Sequence, residues 1–466
     1  MRIKEYIHIQ INKNLEKEVF LFLGQRSSHM NLIVKNTNTL KGTVIPPPSK
    51  SQTIRALFIA TLAKGVSIID HALDSTDAKS AIAVCSALGA SIHQKKNPDK
   101  TLLLEVTSGG TPLYTSETAI YTGDSGITSR FLLPILGLRT DTSTPMIVDC
   151  GDQMRKRPFA PLIHALSNLG MNITSLEGNE SYPIRVNGPL KGGETSVDGI
   201  TSQFTSALLM ALPLGANDSI LTVENLNERP YVVMTTRWLD EQGIVYQWNT
   251  DGKKDIFKIK GTQEYRPFTK LIPADFSQSS YLIAATAMIQ GDVVIEGLDM
   301  TESQGDKKII EILQEMGAQI AVGGERLIIH GGAPLHGIEI DCNDIPDLVP
   351  TLAALGTVAE GKTTLTNVEH ARLKETDRIH SMTTELKKMG AQIEERPDGM
   401  TISQSALKGT NVHGHNDHRT IMALAIAGLK AEGETRIDTA EGIKKTFPEF
   451  VELMQTLGAN IQLSNH

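Results

Sequence analysis

Two acids, Asp347 and Glu375, share this chain with seven scattered cations: Lys50, Arg55, Arg157, Lys374, Arg378, Arg419 and Lys445. A pair of carboxylates can act as general acid and base when burial and neighbouring charge set their proton affinities apart. Cations spread singly along a chain suit a small ligand with several negative charges. Lys50, Arg55, Arg419 and Asp347 fall among six short polar clusters, at residues 49–55, 124–130, 201–203, 275–279, 345–347 and 416–419, which recur about every 70 to 80 residues. Hydroxyls and amides accompany them, among them Ser51, Thr201, Ser202 and Gln203. Each cluster runs directly into an apolar stretch, so it marks a helix N-terminus. There the first backbone N–H groups lack internal acceptors and the helix dipole adds roughly half a positive charge, which favours phosphate and carboxylate groups.

The elements that must position these ends follow a repeated order. After each cluster come a run too apolar for a surface helix, as at 56–63, 207–212, 281–288 and 422–429, then a turn and a β-branched strand. The strands are expected at 65–70, 145–149, 220–223, 292–296, 363–368 and 435–438. A second, amphipathic helix then ends on Gly89, Gly170, Gly243, Gly317, Gly390 or Gly458, each placed for a left-handed C-cap. Six such endings at one period imply six copies of an α/β unit. At 466 residues the chain is long for one core, so two domains of three units are expected.

Composition narrows the function classes. Forty per cent hydrophobic and 21% charged residues describe a globular protein, and a net charge of −8 without a long basic run argues against nucleic acid as the main partner. No apolar run reaches the length of a membrane helix. Cys85, Cys150 and Cys342 lie far apart, with neither zinc-like spacing nor the even count of a disulfide framework, which points to a reducing compartment. Residues 1–30 lack the unit pattern, a signal-peptide core and a transit-peptide composition, and read as a disordered extension upstream of a start at Met30.

Some features have plain readings. The charges of Arg155, Lys156 and Lys444 suit a solvated face, and the serines at 277–280 suit capping. His413, His415, Asp417 and His418 are metal-type ligands, but their spacing fits no usual zinc pattern, so no metal is assigned and His418 is read as a proton donor or anion contact.

The strings Pro48-Ser49-Lys50-Ser51 with Arg55, Gly123-Asp124-Ser125-Gly126 with Arg130, Arg157-Pro158, Ser202-Gln203, Lys374-Glu375-Thr376-Asp377-Arg378, Asp417-His418-Arg419 and Lys445-Thr446-Phe447-Pro448 resemble the signature set of the 5-enolpyruvylshikimate-3-phosphate synthase family, in that family's order. The resemblance implies an α/β, two-domain inside-out barrel of six βαβαββ units, three per domain. The domains are expected at 49–273 and at 31–48 plus 274–466, with crossings near 47–49 and 272–275. It further implies transfer of the enolpyruvyl group of phosphoenolpyruvate to the 5-hydroxyl of shikimate-3-phosphate without metal or organic cofactor. The chain is expected to be a cytoplasmic monomer that closes its domains on small-molecule substrates.

By the same resemblance, Lys50, Gly126, Arg157, Gln203, Arg378, Arg419 and Lys445 contact phosphoenolpyruvate. Shikimate-3-phosphate is expected on Lys50, Ser51, Arg55, Thr201, Ser202, Gln203, Tyr231, Asp347 and Lys374. Asp347, Glu375 and Lys50 are the expected proton-transfer groups. The chain departs from the family pattern at Ile54, Asp124, Ile127, His370 and Glu228. Ile127, beside Gly126, suggests a reshaped phosphoenolpyruvate pocket with weakened inhibition by glyphosate. Glu228 stands where a serine usually meets the shikimate phosphate; a carboxylate there repels that phosphate unless Arg229 or Arg55 neutralises it, so Glu228 is left out of the expected site. Two other readings compete. The related transferase acting on UDP-N-acetylglucosamine carries a reactive loop cysteine, and none of the three cysteines here has a loop setting. A silent phosphosugar binder has no use for two buried acids.

Overall fold

The computed structural model describes residues 30–465. The expected extension over residues 1–30 lies outside the described residues apart from Met30, which opens the first strand.

All six polar clusters start helices that are buried almost end to end: Lys50–Leu62, Gly126–Ile135, Ser202–Ala211, Phe276–Met288, Val349–Gly356 and His418–Gly428. Four have side-chain N-caps, in which Ser49, Thr201, Asp275 and Asp417 accept from a backbone N–H of the first turn. Before Val349–Gly356 the chain makes a 3-10 turn, Pro346–Leu348, that places Asp347 just ahead of the helix. The second helix of every unit ends at its expected glycine, and all six glycines have positive φ, from 70° at Gly243 to 105° at Gly317.

The strands form six four-stranded sheets. Each pairs a short first strand in parallel with the second, then adds two antiparallel strands, as in Ala119–Tyr121, Met146–Asp149, Ile184–Asn187 and Asn172–Ser175. Three sheets are completed by remote segments that local patterning does not reveal. Thr269–Leu271 pairs with Lys64–Ala72, Gly42–Val44 pairs with Gly291–Glu296, and Met30–Lys35 lies between Glu434–Ile437 and Ile461–Asn465.

Buried apolar side chains gather in two cores. One contains residues from Leu32 to Val44 and from Ala274 to Ile461, the other residues from Ile54 to Ile272. The two chain crossings between them run side by side: the Ser49 N–H donates to the Pro273 carbonyl at 2.8 Å, and the Asp275 N–H to the Pro47 carbonyl at 2.9 Å. Among the described residues no helix is long and apolar enough to cross a membrane.

Candidate active site

The ends of the buried helices from both cores converge on one narrow cavity of about 40 Å³. Lys50, Ser51, Arg55, Ile127, Arg157, Ser202, Gln203, Glu228 and Tyr231 line it from one side; Asp347, Lys374, Glu375, Arg378, His418 and Arg419 line it from the other. Of the residues expected from the sequence, three stand at its margins. Thr201 borders an adjoining pocket with Arg157 and Lys374, Lys445 borders a larger open cleft with Glu375, and Gly126 backs onto the Arg157 guanidinium so closely that a Cβ there meets Nη1 at 2.5 Å. A side chain at this helix start would therefore have to push the Arg157 guanidinium aside.

Six cations, Lys50, Arg55, Arg157, Lys374, Arg378 and Arg419, face three carboxylates, Glu228, Asp347 and Glu375. The positive excess suits a polyanionic ligand. Arg378 organises the acids: Nη1 donates to Asp347 at 2.7 Å, Nη2 to Glu375 at 2.7 Å and Nε to Asp417 at 2.9 Å. Asp347 also accepts from Arg419 Nη2 at 2.6 Å and from the Tyr231 hydroxyl at 3.1 Å. Burial opposes its ionisation, yet Arg419 and then Arg378 and Lys50 bring its carboxyl down to about 2. Glu375 is likewise held well below the usual carboxylate range, because Arg157, 3.4 Å away, with Arg378 and Lys445, outweighs burial. His418 is also pushed down, by burial and then by Arg419, so its imidazole is neutral. Its Nε2 and the Arg157 Nε are buried without a hydrogen-bond acceptor.

Other expected residues are tied into the frame. Arg55 donates to Thr235 Oγ1, Ser206 Oγ and the Ser51 and Tyr231 carbonyls, fixing the starts of two helices, and burial lowers it to about 10. Gln203 Oε1 accepts from Arg130 Nη1 at 2.6 Å, with the Arg130 guanidinium between the rings of Phe159 and Phe204. Lys445 Nζ donates to Gln153 at 3.0 Å, and Gln153 donates on to the Glu375 carbonyl at 3.0 Å, linking the two sides of the cleft.

The expectation for Glu228 is corrected. Its carboxylate is in the cavity wall, 2% exposed, accepting from the Ser202 N–H at 3.1 Å and the Ser202 hydroxyl at 2.5 Å. Its counter-ion is Lys374, from the opposite side of the cavity. Arg229 turns away onto Asp255 at 2.7 Å, and Arg55 has the partners named above. In the His413 cluster the rings of His413 and His415 meet edge to face at 4.4 Å, but each acid or imidazole has its own partner: His413 pairs with Asp438 at 2.7 Å, His415 with Glu385 at 3.1 Å, and Asp417 with Arg378.

The sequence model of the EPSP synthase (3-phosphoshikimate 1-carboxyvinyltransferase) family matches residues 34–454. The chain belongs to the EPSP synthase family. It is 48% identical to a 3-phosphoshikimate 1-carboxyvinyltransferase of Acetivibrio thermocellus, over 90% of this chain and 96% of that one. A protein of the same description from Methanocaldococcus jannaschii is 43% identical, over 93% of this chain and 99% of that one. An EPSP synthase structure from Acinetobacter baumannii superposes with a TM-score of 0.76 at 26% identity, covering 94% of this chain and all of that one. The two-domain α/β fold expected from the resemblance is thus the fold of the EPSP synthase family.

Beside this family's motifs the structure places acids that sequence reading missed. Asp77 lies 3.5 Å from the Lys50 ammonium, and its carboxyl is pushed up by burial against the pull of Lys50 and Lys445. At the sequence level Asp77 looks like an ordinary acid in the first turn of Thr76–Ala87. Asp306 accepts from the Ser277 hydroxyl behind Tyr231, and burial followed by the Asp347 charge raises it to about 7. Only tertiary contacts bring Asp77 to Lys50 and Asp306 behind Tyr231, two residues that line the cavity.

Proposed function

We propose that this chain transfers the enolpyruvyl group of phosphoenolpyruvate to the 5-hydroxyl of shikimate-3-phosphate and releases phosphate, the reaction of the shikimate pathway toward aromatic amino acids. The observation that carries the reading is one guanidinium, Arg378, holding Asp347 and Glu375 at 2.7 Å each inside a cation-rich cavity. Burial without this network gives acids no fixed direction; with it, two carboxylates face one small space.

In the addition step the 5-hydroxyl oxygen bonds to C2 of phosphoenolpyruvate, its proton leaves, and the methylene carbon gains a proton. In the elimination step the C2–O bond to phosphate breaks and the new methyl group gives a proton back. We assign Asp347 to the 5-hydroxyl, Glu375 to the methylene carbon, and Lys50 to them as the proton-carrying partner. Asp347 as it stands is too weak a base, since Arg419 and Arg378 hold it near 2. Phosphoenolpyruvate, binding the same two arginines, would draw them away and raise its basicity. Arg157, Lys50, Gln203, Lys445 and the Gly126 backbone would complete the phosphoenolpyruvate contacts. Ser51, Arg55, Thr201, Ser202, Gln203, Tyr231, Lys50 and Lys374 would hold shikimate-3-phosphate beside Asp347.

The domain limits 49–273 and 31–48 plus 274–466 are part of the same reading, supported by the two cores, as are a monomeric state and a cytoplasmic setting. The UDP-N-acetylglucosamine reading needs a reactive loop thiol. All three cysteines are buried, and burial pushes Cys85 and Cys342 up to about 12. The test is phosphate release from phosphoenolpyruvate in metal-free buffer with each acceptor in turn. Release with shikimate-3-phosphate alone is expected; release with UDP-N-acetylglucosamine, or with neither, overturns the reading.

A further inference from the structure

Glu228 makes the contacts that a bound phosphate ester would make. At the start of Ser202–Ala211 its carboxylate takes both the backbone N–H and the hydroxyl of Ser202, and across the cavity it takes the Lys374 ammonium. These are two of the groups that the proposed function gives to shikimate-3-phosphate, so the inference rests on that reading. Lys374 is itself in a difficult position: burial and then Arg378 and Arg157 push its ammonium well below the ordinary lysine range against the pull of Glu375, and Glu228 is the anion paired with it across the cavity. Glu228 also has the backbone of a fixed element. Its φ is 57°, in the left-handed region where a non-glycine residue is uncommon, and its N–H donates to the Asn343 carbonyl at 3.3 Å from the other side of the cleft.

We propose that Glu228 is a resident anion: its carboxylate fills the phosphate position between Ser202 and Lys374, and an incoming phosphate monoester must displace it. Two consequences follow from charge alone. A monoanionic carboxylate yields to a dianion but resists weaker anions, so the site selects a doubly charged phosphate ester over inorganic monoanions. The Glu228–Lys374 pair also bridges the two halves before substrate arrives, doing part of the closing that the substrate phosphate would otherwise do alone.

The experiment is calorimetric titration of shikimate-3-phosphate into the wild-type chain, Glu228→Ser and Glu228→Gln, with small-angle scattering of each free protein. Glu228→Ser is expected to bind about tenfold or more tightly than wild type, and Glu228→Gln to shift in the same direction by a smaller factor. Both free variants are expected to be more expanded than wild type and to contract on adding the ligand. Glu228→Gln keeps the size of the side chain, so a folding failure of the serine variant does not remove the test. Unchanged or weaker binding by a folded variant overturns the proposal and makes Glu228 either a bystander or a ligand contact. Wild-type chain that binds no shikimate-3-phosphate at all instead removes the functional reading on which the proposal stands.

Discussion

Arg378 gives each of three nitrogens a separate carboxylate, Asp347, Glu375 and Asp417, and it is 1% exposed. A lysine cannot reproduce that fork, and deleting any acid leaves buried charge unbalanced. Glu375→Gln keeps the shape and removes the proton-handling group: kcat is expected to fall about 10²- to 10³-fold while shikimate-3-phosphate affinity stays within about threefold, by steady-state kinetics and calorimetry. Near-wild-type turnover would take Glu375 out of the chemistry. Asp306 sets a stability dependence on pH. Folding raises its carboxyl from 3.8 to about 7, so the folded state favours the protonated form. That contribution is complete below about pH 4 and is lost as pH rises through about 7. Denaturant midpoints should therefore fall across this window in wild type and fall less in Asp306→Asn; parallel curves would refute it. Ile127 lines the cavity beside Arg157, and Ile127→Thr is expected to strengthen inhibition by glyphosate, measured as a lower inhibition constant. At this scale the sequence exposed the residues carried by local strings, such as Lys374 to Arg378. It hid Asp77, Gln153 and Asp306, which only tertiary folding joins to Lys50, Lys445 and Ser277, and it misjudged Glu228 because the neutralising Lys374 comes from 146 positions away along the chain.

The second helix of each unit ends where the backbone must turn left-handed, and the environments of those turns differ. At Gly243, φ 70°, an added Cβ meets nothing within 4 Å, so Gly243→Ala should destabilise by about 1 kcal/mol from backbone strain alone. At Gly89, φ 101°, the same Cβ meets the Tyr114 carbonyl oxygen at 2.3 Å, so Gly89→Ala should destabilise by at least about twice as much. Denaturant unfolding of both variants checks the order; equal losses would show that the Tyr114 segment simply moves aside. These endings and the buried helix starts were legible because their causes are local: a cap, an apolar run, a residue that tolerates positive φ. The strands Met30–Lys35, Gly42–Val44 and Thr269–Leu271 had no such mark as sheet members, since each pairs with a segment roughly 200 or more residues away.

Two cores are joined by two adjacent crossings, and the cations proposed for phosphoenolpyruvate come from both sides. Adding shikimate-3-phosphate with glyphosate should shrink the radius of gyration in solution scattering, by bridging charges that otherwise repel across the cleft. An unchanged radius would mean that the cavity is assembled before substrate binds. The side-by-side crossings at Pro47–Asp275 and Ser49–Pro273 have another consequence, for biosynthesis. The half proposed over residues 49–273 is continuous in sequence, so its own strand pairings are all available once residue 273 has left the ribosome. Met30–Lys35 leaves first, but its partners, Glu434–Ile437 and Ile461–Asn465, are made about 400 residues later. At about 5 to 20 residues per second that is a delay on the order of 20 to 80 seconds. Throughout it the Leu32-Ile33-Val34 segment lacks its native partners, which leaves an apolar strand open to wrong pairing until synthesis is complete.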